Sequence, residues 1–123
     1  MKTNQRQELA KQWFKNLQEI ICKNIEELEN NKILFTIKKW RRNKKKNEGG
    51  GISKILENGK IFDKVGVNFS EVYGIFPKEL KGKIPGTKKK SKFWASGISI
   101  VMHMKNPNVP AMHFNTRYIS TSH

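Results

Sequence analysis

Five polar side chains in the last quarter of this sequence have the types and spacing that suit acid–base work on an anionic ligand: Ser99 and His103, then His113, Asn115 and Arg117. Side chains alternate faces along an extended strand. In FWASGISIVMHMK (Phe93 to Lys105) that alternation sets Ser99, Val101 and His103 on one face and Ile98, Ile100, Met102 and Met104 on the other. In MHFNTRYI it sets His113, Asn115 and Arg117 against Phe114, Thr116 and Tyr118. If the two strands pair antiparallel with His103 opposite His113, Ser99 falls opposite Arg117 and all five polar side chains share one surface. An odd register would send the two polar sets to opposite sides. A guanidinium grips a carboxylate through two parallel hydrogen bonds, an amide and a hydroxyl orient a ligand, and imidazoles exchange protons near neutral pH. Spacing alone equally describes polar residues on a solvated sheet face. Two imidazoles can also hold a divalent ion, but no Asp, Glu or Cys nearby in sequence completes a shell.

Such a surface needs a sheet and a layer to back it. Leu9, Trp13, Leu17, Ile20, Ile21, Ile25 and Leu28 recur at spacings of three and four, which predicts an amphipathic helix over residues 1–30 with that stripe against the core. Thr3 or Asn4 is the expected cap and Asn30-Asn31 the expected end. ILFTIKKW (Ile33 to Trp40) has strand character, and RRNKKKNEGGG after it reads as a flexible loop. Glu48-Gly49-Gly50-Gly51 lacks the Lys-Ser/Thr of a P-loop and any dinucleotide-binding spacing. Ile52–Leu56, Lys60–Asn68 and Glu71–Ile75 are short strand-like runs, the first two separated by Asn58-Gly59, a two-residue hairpin signal. Phe76 to Lys92 is a Pro/Gly/Lys connection, and Phe93–Lys105 and Met112–Ile119 are the last strands. A helix followed by consecutive hairpin-linked strands predicts an α+β domain with a largely antiparallel sheet whose last strand is an edge.

The 123 residues carry 25 Lys+Arg against 10 Asp+Glu, a formal net charge of +15, and a single cysteine. That length fits one domain or part of one, and a 36% apolar content is lean for a self-sufficient core. No apolar run approaches the roughly 18 residues of a membrane span, and the polar opening does not read as a secretory signal, so a cytoplasmic protein is expected. One cysteine builds neither a disulfide framework nor a cysteine zinc site, and Cys22 is expected to be an inert, half-buried thiol. Charge is segmental. Residues 1–30 balance, whereas Lys32 to Lys46 and Lys78 to Lys92 are basic runs of the kind that attract polyanions. A nucleic-acid-binding module using Lys38 to Lys46 and Lys88 to Lys92 is the alternative function, although Lys outnumbers Arg 21 to 4 and base readout favours Arg.

Three blocks carry a family resemblance: EGGGISKILENGKIFDKVGVNFSEVYG (Glu48 to Gly74), GISIVMHMKNPNVP (Gly97 to Pro110) and AMHFNTRYI (Ala111 to Ile119). The chain resembles the N-terminal part of the oxygen-dependent coproporphyrinogen III oxidases. The resemblance implies a large antiparallel sheet flanked by helices, a homodimer, and oxidative decarboxylation of two propionates of coproporphyrinogen III to the vinyl groups of protoporphyrinogen IX in haem biosynthesis. Dioxygen is the implied acceptor, with carbon dioxide and hydrogen peroxide released and no organic cofactor. By motif, His113 matches the histidine assigned as proton donor, and Ser99, Asn115, Thr116 and Arg117 match substrate-binding positions. His103 and His113 match positions assigned in some members to a divalent metal, a requirement that is disputed.

Departures are a shorter glycine run than in many relatives, a more basic loop before it, and an insertion-like Lys88-Lys89-Lys90. Relatives also continue past TRYI into a Trp-Phe-Gly-Gly-Gly-Xaa-Asp-Leu-Thr-Pro segment, further substrate contacts and the dimer-forming region. The expectation is therefore an N-terminal portion of one domain holding part of a pocket, one piece of an enzyme that a second polypeptide completes or, as the alternative, a non-catalytic remnant.

Overall fold

The computed structural model describes residues 2–80, 83 and 92–121. Helix α1 (Thr3–Leu28) precedes five strands: β1 (Thr36–Arg41), β2 (Gly49–Glu57), β3 (Phe62–Ile75), β4 (Lys92–Met104) and β5 (Met112–Thr121). They form one antiparallel sheet in the order β1-β2-β3-β4-β5, so the chain is α+β as expected and β5 is an edge strand.

Helix α1 lies across one face, over β3, β4 and β5. Phe14, Cys22 and Ile25 pack against Leu56, Val65, Val67, Phe69, Ile98 and Ile100. The expected stripe is met in part: Leu17, Ile21 and Ile25 pack against the core, whereas Leu9, Trp13, Ile20 and Leu28 face outward, and the buried row runs through Phe14, Gln18, Cys22 and Ile25. The apolar residues cover more of the helix than one face, and a polar residue decides which side docks. Gln18 is fully buried, and its Nε2 donates to the Ile52 carbonyl (2.8 Å) and the Val67 carbonyl (2.9 Å), tying the helix to β2 and β3 at once. Burial pushes the Cys22 thiol up to about 12, which keeps it protonated and inert. The helix starts one residue earlier than the expected caps, with Lys2 at the cap position and its N–H donating to Gln5 Oε1. It ends where expected, with Asn30 and Asn31 both in the left-handed region (φ 56° and 55°).

Three strand assignments change. Lys60–Asn68 and Glu71–Ile75 belong to one strand, β3, in which a bulge between Phe62 and Lys64 shifts the inward positions from even to odd numbers. Phe62, Val65, Val67 and Phe69 are consequently all buried, a set that strict alternation would split. The connection from β2 to β3 spans 58–61 rather than two residues, with Asn58 at φ 59°. The glycine run is strand rather than loop: Gly49, Gly50 and Gly51 open β2 and pair with Val72, Glu71 and Ser70.

The β2–β3 turn is held from the helix. The Glu29 carboxylate, at the C-cap of α1, accepts N–H bonds from Lys60 (2.6 Å), Ile61 (2.6 Å) and Phe62 (3.0 Å). Among the described residues no helix is long and apolar enough to cross a membrane.

Candidate functional site

The sheet face turned away from α1 carries the polar set. In β4 and β5 the register is Gly97↔Arg117, Ser99↔Asn115 and Val101↔His113. The parity is the one expected, so Ser99, His103, His113, Asn115 and Arg117 share this face, but the pairing is displaced by two residues. Ser99 faces Asn115 and not Arg117, and His103 lies beyond the last β4–β5 pair, opposite Lys64 of β3. The β4–β5 pairing stops at Met102↔Met112, so His103 and Met104 pair only with β3 and residues 105–111 form the connection. Thr116 pairs with Ile98 and presents its side chain toward the α1 side, so the open face reaches Thr116 only through its backbone.

Successive pairings extend this geometry across all five strands. One rung runs Trp40, Gly51, Ser70, Gly97, Arg117, and the next runs Lys38, Ser53, Asn68, Ser99, Asn115. Four strand spacings of roughly 4.8 Å separate Trp40 from Arg117, and between them stand only two glycines and a serine. The floor between the indole and the guanidinium is therefore low. It could not hold side chains at its glycines: a Cβ on Gly51 would sit 2.1 Å from the Phe69 carbonyl oxygen and 2.6 Å from a Trp40 ring carbon, and one on Gly97 would sit 2.4 Å from the Thr116 carbonyl oxygen. Gly49, at φ 87°, needs glycine for its backbone conformation as well.

Arg117 divides two hollows on this face. On one side a depression of about 180 Å³ lies between Trp40 and Asn115; on the other a hollow of about 340 Å³ runs over Val72 and Ala95 toward Phe93. Asn68 fixes the centre of the polar rung by a hydrogen bond between its Oδ1 and the Ser53 hydroxyl at 2.5 Å. His113, Asn115 and Arg117 are all exposed, and among the described residues no carboxylate pairs with Arg117. A forked cation with no carboxylate partner among the described residues, beside amide and hydroxyl groups over a low floor, can receive a carboxylate on a flat body.

A divalent ion fits poorly. Among the described residues no three of His, Cys, Asp and Glu gather, and the neighbour across from His103 is a lysine. Of the basic runs, Lys38 reaches the open face, while Lys88 to Lys90 lie outside the described residues. Trp40, Ser53, Asn68 and Ser70 were not singled out from the sequence. Reading the glycine run as a loop hid the β1–β2 hairpin, and with it the alternation that puts even positions of β1 and odd positions of β2 on the site.

The family model described as coproporphyrinogen III oxidase matches residues 9–123. Proteins named oxygen-dependent coproporphyrinogen-III oxidase from Rickettsia akari (46% identical over 119 residues), Rickettsia africae (45% over 119) and Rickettsia bellii (42% over 123) each match 94% of this chain. The chain spans 43% of the length of these relatives.

Proposed function

Because the chain belongs to the coproporphyrinogen III oxidase family, we propose that its open sheet face binds coproporphyrinogen III as the N-terminal part of an oxygen-dependent oxidase of haem biosynthesis. The observation that carries this reading is the gathering of Ser99, His113, Asn115 and Arg117 on one face, beside a floor of Gly51, Ser70 and Gly97. The substrate is a flexible macrocycle bearing four propionates. Arg117 takes one carboxylate through its forked donors, and Asn115 and Ser99, facing each other across β4 and β5, hydrogen-bond the ligand beside it. His113 stands two residues along β5 from Asn115, on the same face, and exchanges a proton with the pyrrole. Thr116 contributes backbone only. Each reacting propionate, with one proton and one dioxygen, gives a vinyl group, carbon dioxide and hydrogen peroxide; the two electrons released on cleavage of the carboxyl carbon bond and loss of hydrogen pass to dioxygen. Neither an organic cofactor nor a metal enters this scheme. Cytoplasmic residence, pairing with a second copy, and completion of the pocket by the segments that relatives carry belong to the same proposal.

Binding is tested with coproporphyrin III, the stable oxidised form, by fluorescence titration of the chain. Replacing Arg117 with alanine removes a charge-assisted pair worth about tenfold or more in affinity. A nucleic-acid-binding module would behave differently: its affinity for a DNA duplex would fall steeply with salt and hardly respond to Arg117→Ala. Unchanged coproporphyrin affinity in Arg117→Ala would remove the basis of the reading.

A further inference from the structure

The hollow beyond Arg117 ends at a second arginine that neither the motifs nor the comparisons single out. Arg42 directly follows β1, and its N–H bonds the Gly49 carbonyl, which continues the pairing and keeps the side chain on the open face. Its guanidinium crosses over β2. Nη1 donates to the Tyr73 carbonyl at 3.2 Å, lies where a Gly74 side chain would be, and the group stacks over the Phe93 ring at 5.3 Å. Phe93 is in turn stacked on Phe76 at 4.6 Å. One donor is thus spent on the backbone and the plane is set by an aromatic ring, while among the described residues no other group accepts from the remaining N–H groups of the fork. Among the described residues no carboxylate pairs with Arg42.

Between Arg42 and Arg117 the 340 Å³ hollow has an apolar floor of Val72 and Ala95, with Ile119 along one side. Phe93, under the first guanidinium, and Gly97, opposite the second, are four residues apart on β4, about 13 Å at strand rise. A small acid cannot touch both cations, whereas an apolar body carrying carboxylates on well-separated arms can. We propose that Arg42 is a second carboxylate-anchoring residue of this face, holding a propionate remote from the one at Arg117, and that the pair selects ligands with carboxylates on opposite sides of the ring. This deepens the proposed function and rests on it.

The test compares coproporphyrin III, with four propionates, and mesoporphyrin IX, whose two propionates are adjacent and reach one arginine at a time. Arg42→Ala is expected to weaken coproporphyrin III about tenfold and mesoporphyrin IX less than about twofold, while the chain stays folded and its thermal melt falls only by the small amount that loss of the Tyr73 bond and the Phe93 stacking costs. Arg42→Lys, which keeps the charge and loses the fork, is expected to fall between. Equal losses for both porphyrins, or none for either, would overturn the assignment of Arg42 while leaving binding at Arg117 standing. If the unmutated chain bound neither porphyrin, the proposed function would fall and the inference with it.

Discussion

Gly51→Ala is expected to destabilise the protein by about 3 kcal/mol, at the upper end of what overpacking costs, and to weaken porphyrin binding in whatever fraction remains folded. The new methyl carbon would lie 2.1 Å from a backbone carbonyl oxygen of β3 and 2.6 Å from the Trp40 ring, and a backbone atom in a paired strand cannot swing aside as a side chain can. Gly66 supplies the contrast. It sits on the same open face, between Ile55 and Val101, and nothing lies within 4 Å of a Cβ built there. Gly66→Ala should therefore be neutral or stabilising by up to about 1 kcal/mol, from reduced freedom of the unfolded chain. Urea unfolding of the two variants separates close approach from a general dislike of alanine on this face. Equal effects would show that the floor is not as tightly fixed as the pairing implies.

Glu29→Gln is expected to cost about 2 kcal/mol and Glu29→Ala about 3 kcal/mol, because three N–H groups of the β2–β3 turn lose a charged acceptor. The effect carries a pH signature. Burial alone would raise the Glu29 pKa, but the N–H bonds from Phe62, Ile61 and Lys60 outweigh it, and the result lies below the ordinary 4.5. A carboxylate with a depressed folded pKa contributes stability that is fully present above its unfolded value and is lost as pH falls through the folded one. The gap between wild type and Glu29→Gln should accordingly be constant above about pH 5 and shrink below 4.5. Denaturant midpoints measured from pH 7 to 2.5 check this, and a gap that persists unchanged at the acid end would mean the turn is held by something other than the ionised carboxylate.

The sequence was most readable where one physical pattern acts alone. In β4 and β5, period-two alternation over ten or more residues is enough to put Ser99, His113, Asn115 and Arg117 on a common face, because parity survives a two-residue displacement of register. The displacement itself was not readable, since it depends on how residues 105–111 connect the two strands. Helix α1 was readable as a helix, but its docking side only in part, through Leu17, Ile21 and Ile25. Apolar residues occupy two adjoining faces, and Gln18, a polar residue that any hydrophobic pattern discards, makes the bridging bonds to Ile52 and Val67. In β3 the expected runs Lys60–Asn68 and Glu71–Ile75 are one strand of 14 residues, and the bulge at Phe62/Lys64 shifts the alternation inside the first of them. The glycine run misled most. Glycine is scarce in strands, and nothing local distinguishes a flexible linker from a strand whose neighbours approach too closely for any side chain. That misreading removed β1 from the site and with it Trp40 and Arg42.

The central claim, that the sheet face opposite α1 holds a tetrapyrrole by its carboxylates, is most directly tested by mapping backbone and side-chain NMR shifts of the isotope-labelled chain as coproporphyrin III is added. The expected result is a contiguous set of perturbations at Gly51, Ser70, Gly97, Ser99, His113, Asn115 and Arg117, reaching Arg42 and Phe93, with Leu9, Trp13 and Ile20 on the outer face of α1 unmoved. Perturbations confined to that helix face, or saturable binding that leaves Gly97, Asn115 and Arg117 unshifted, would contradict it.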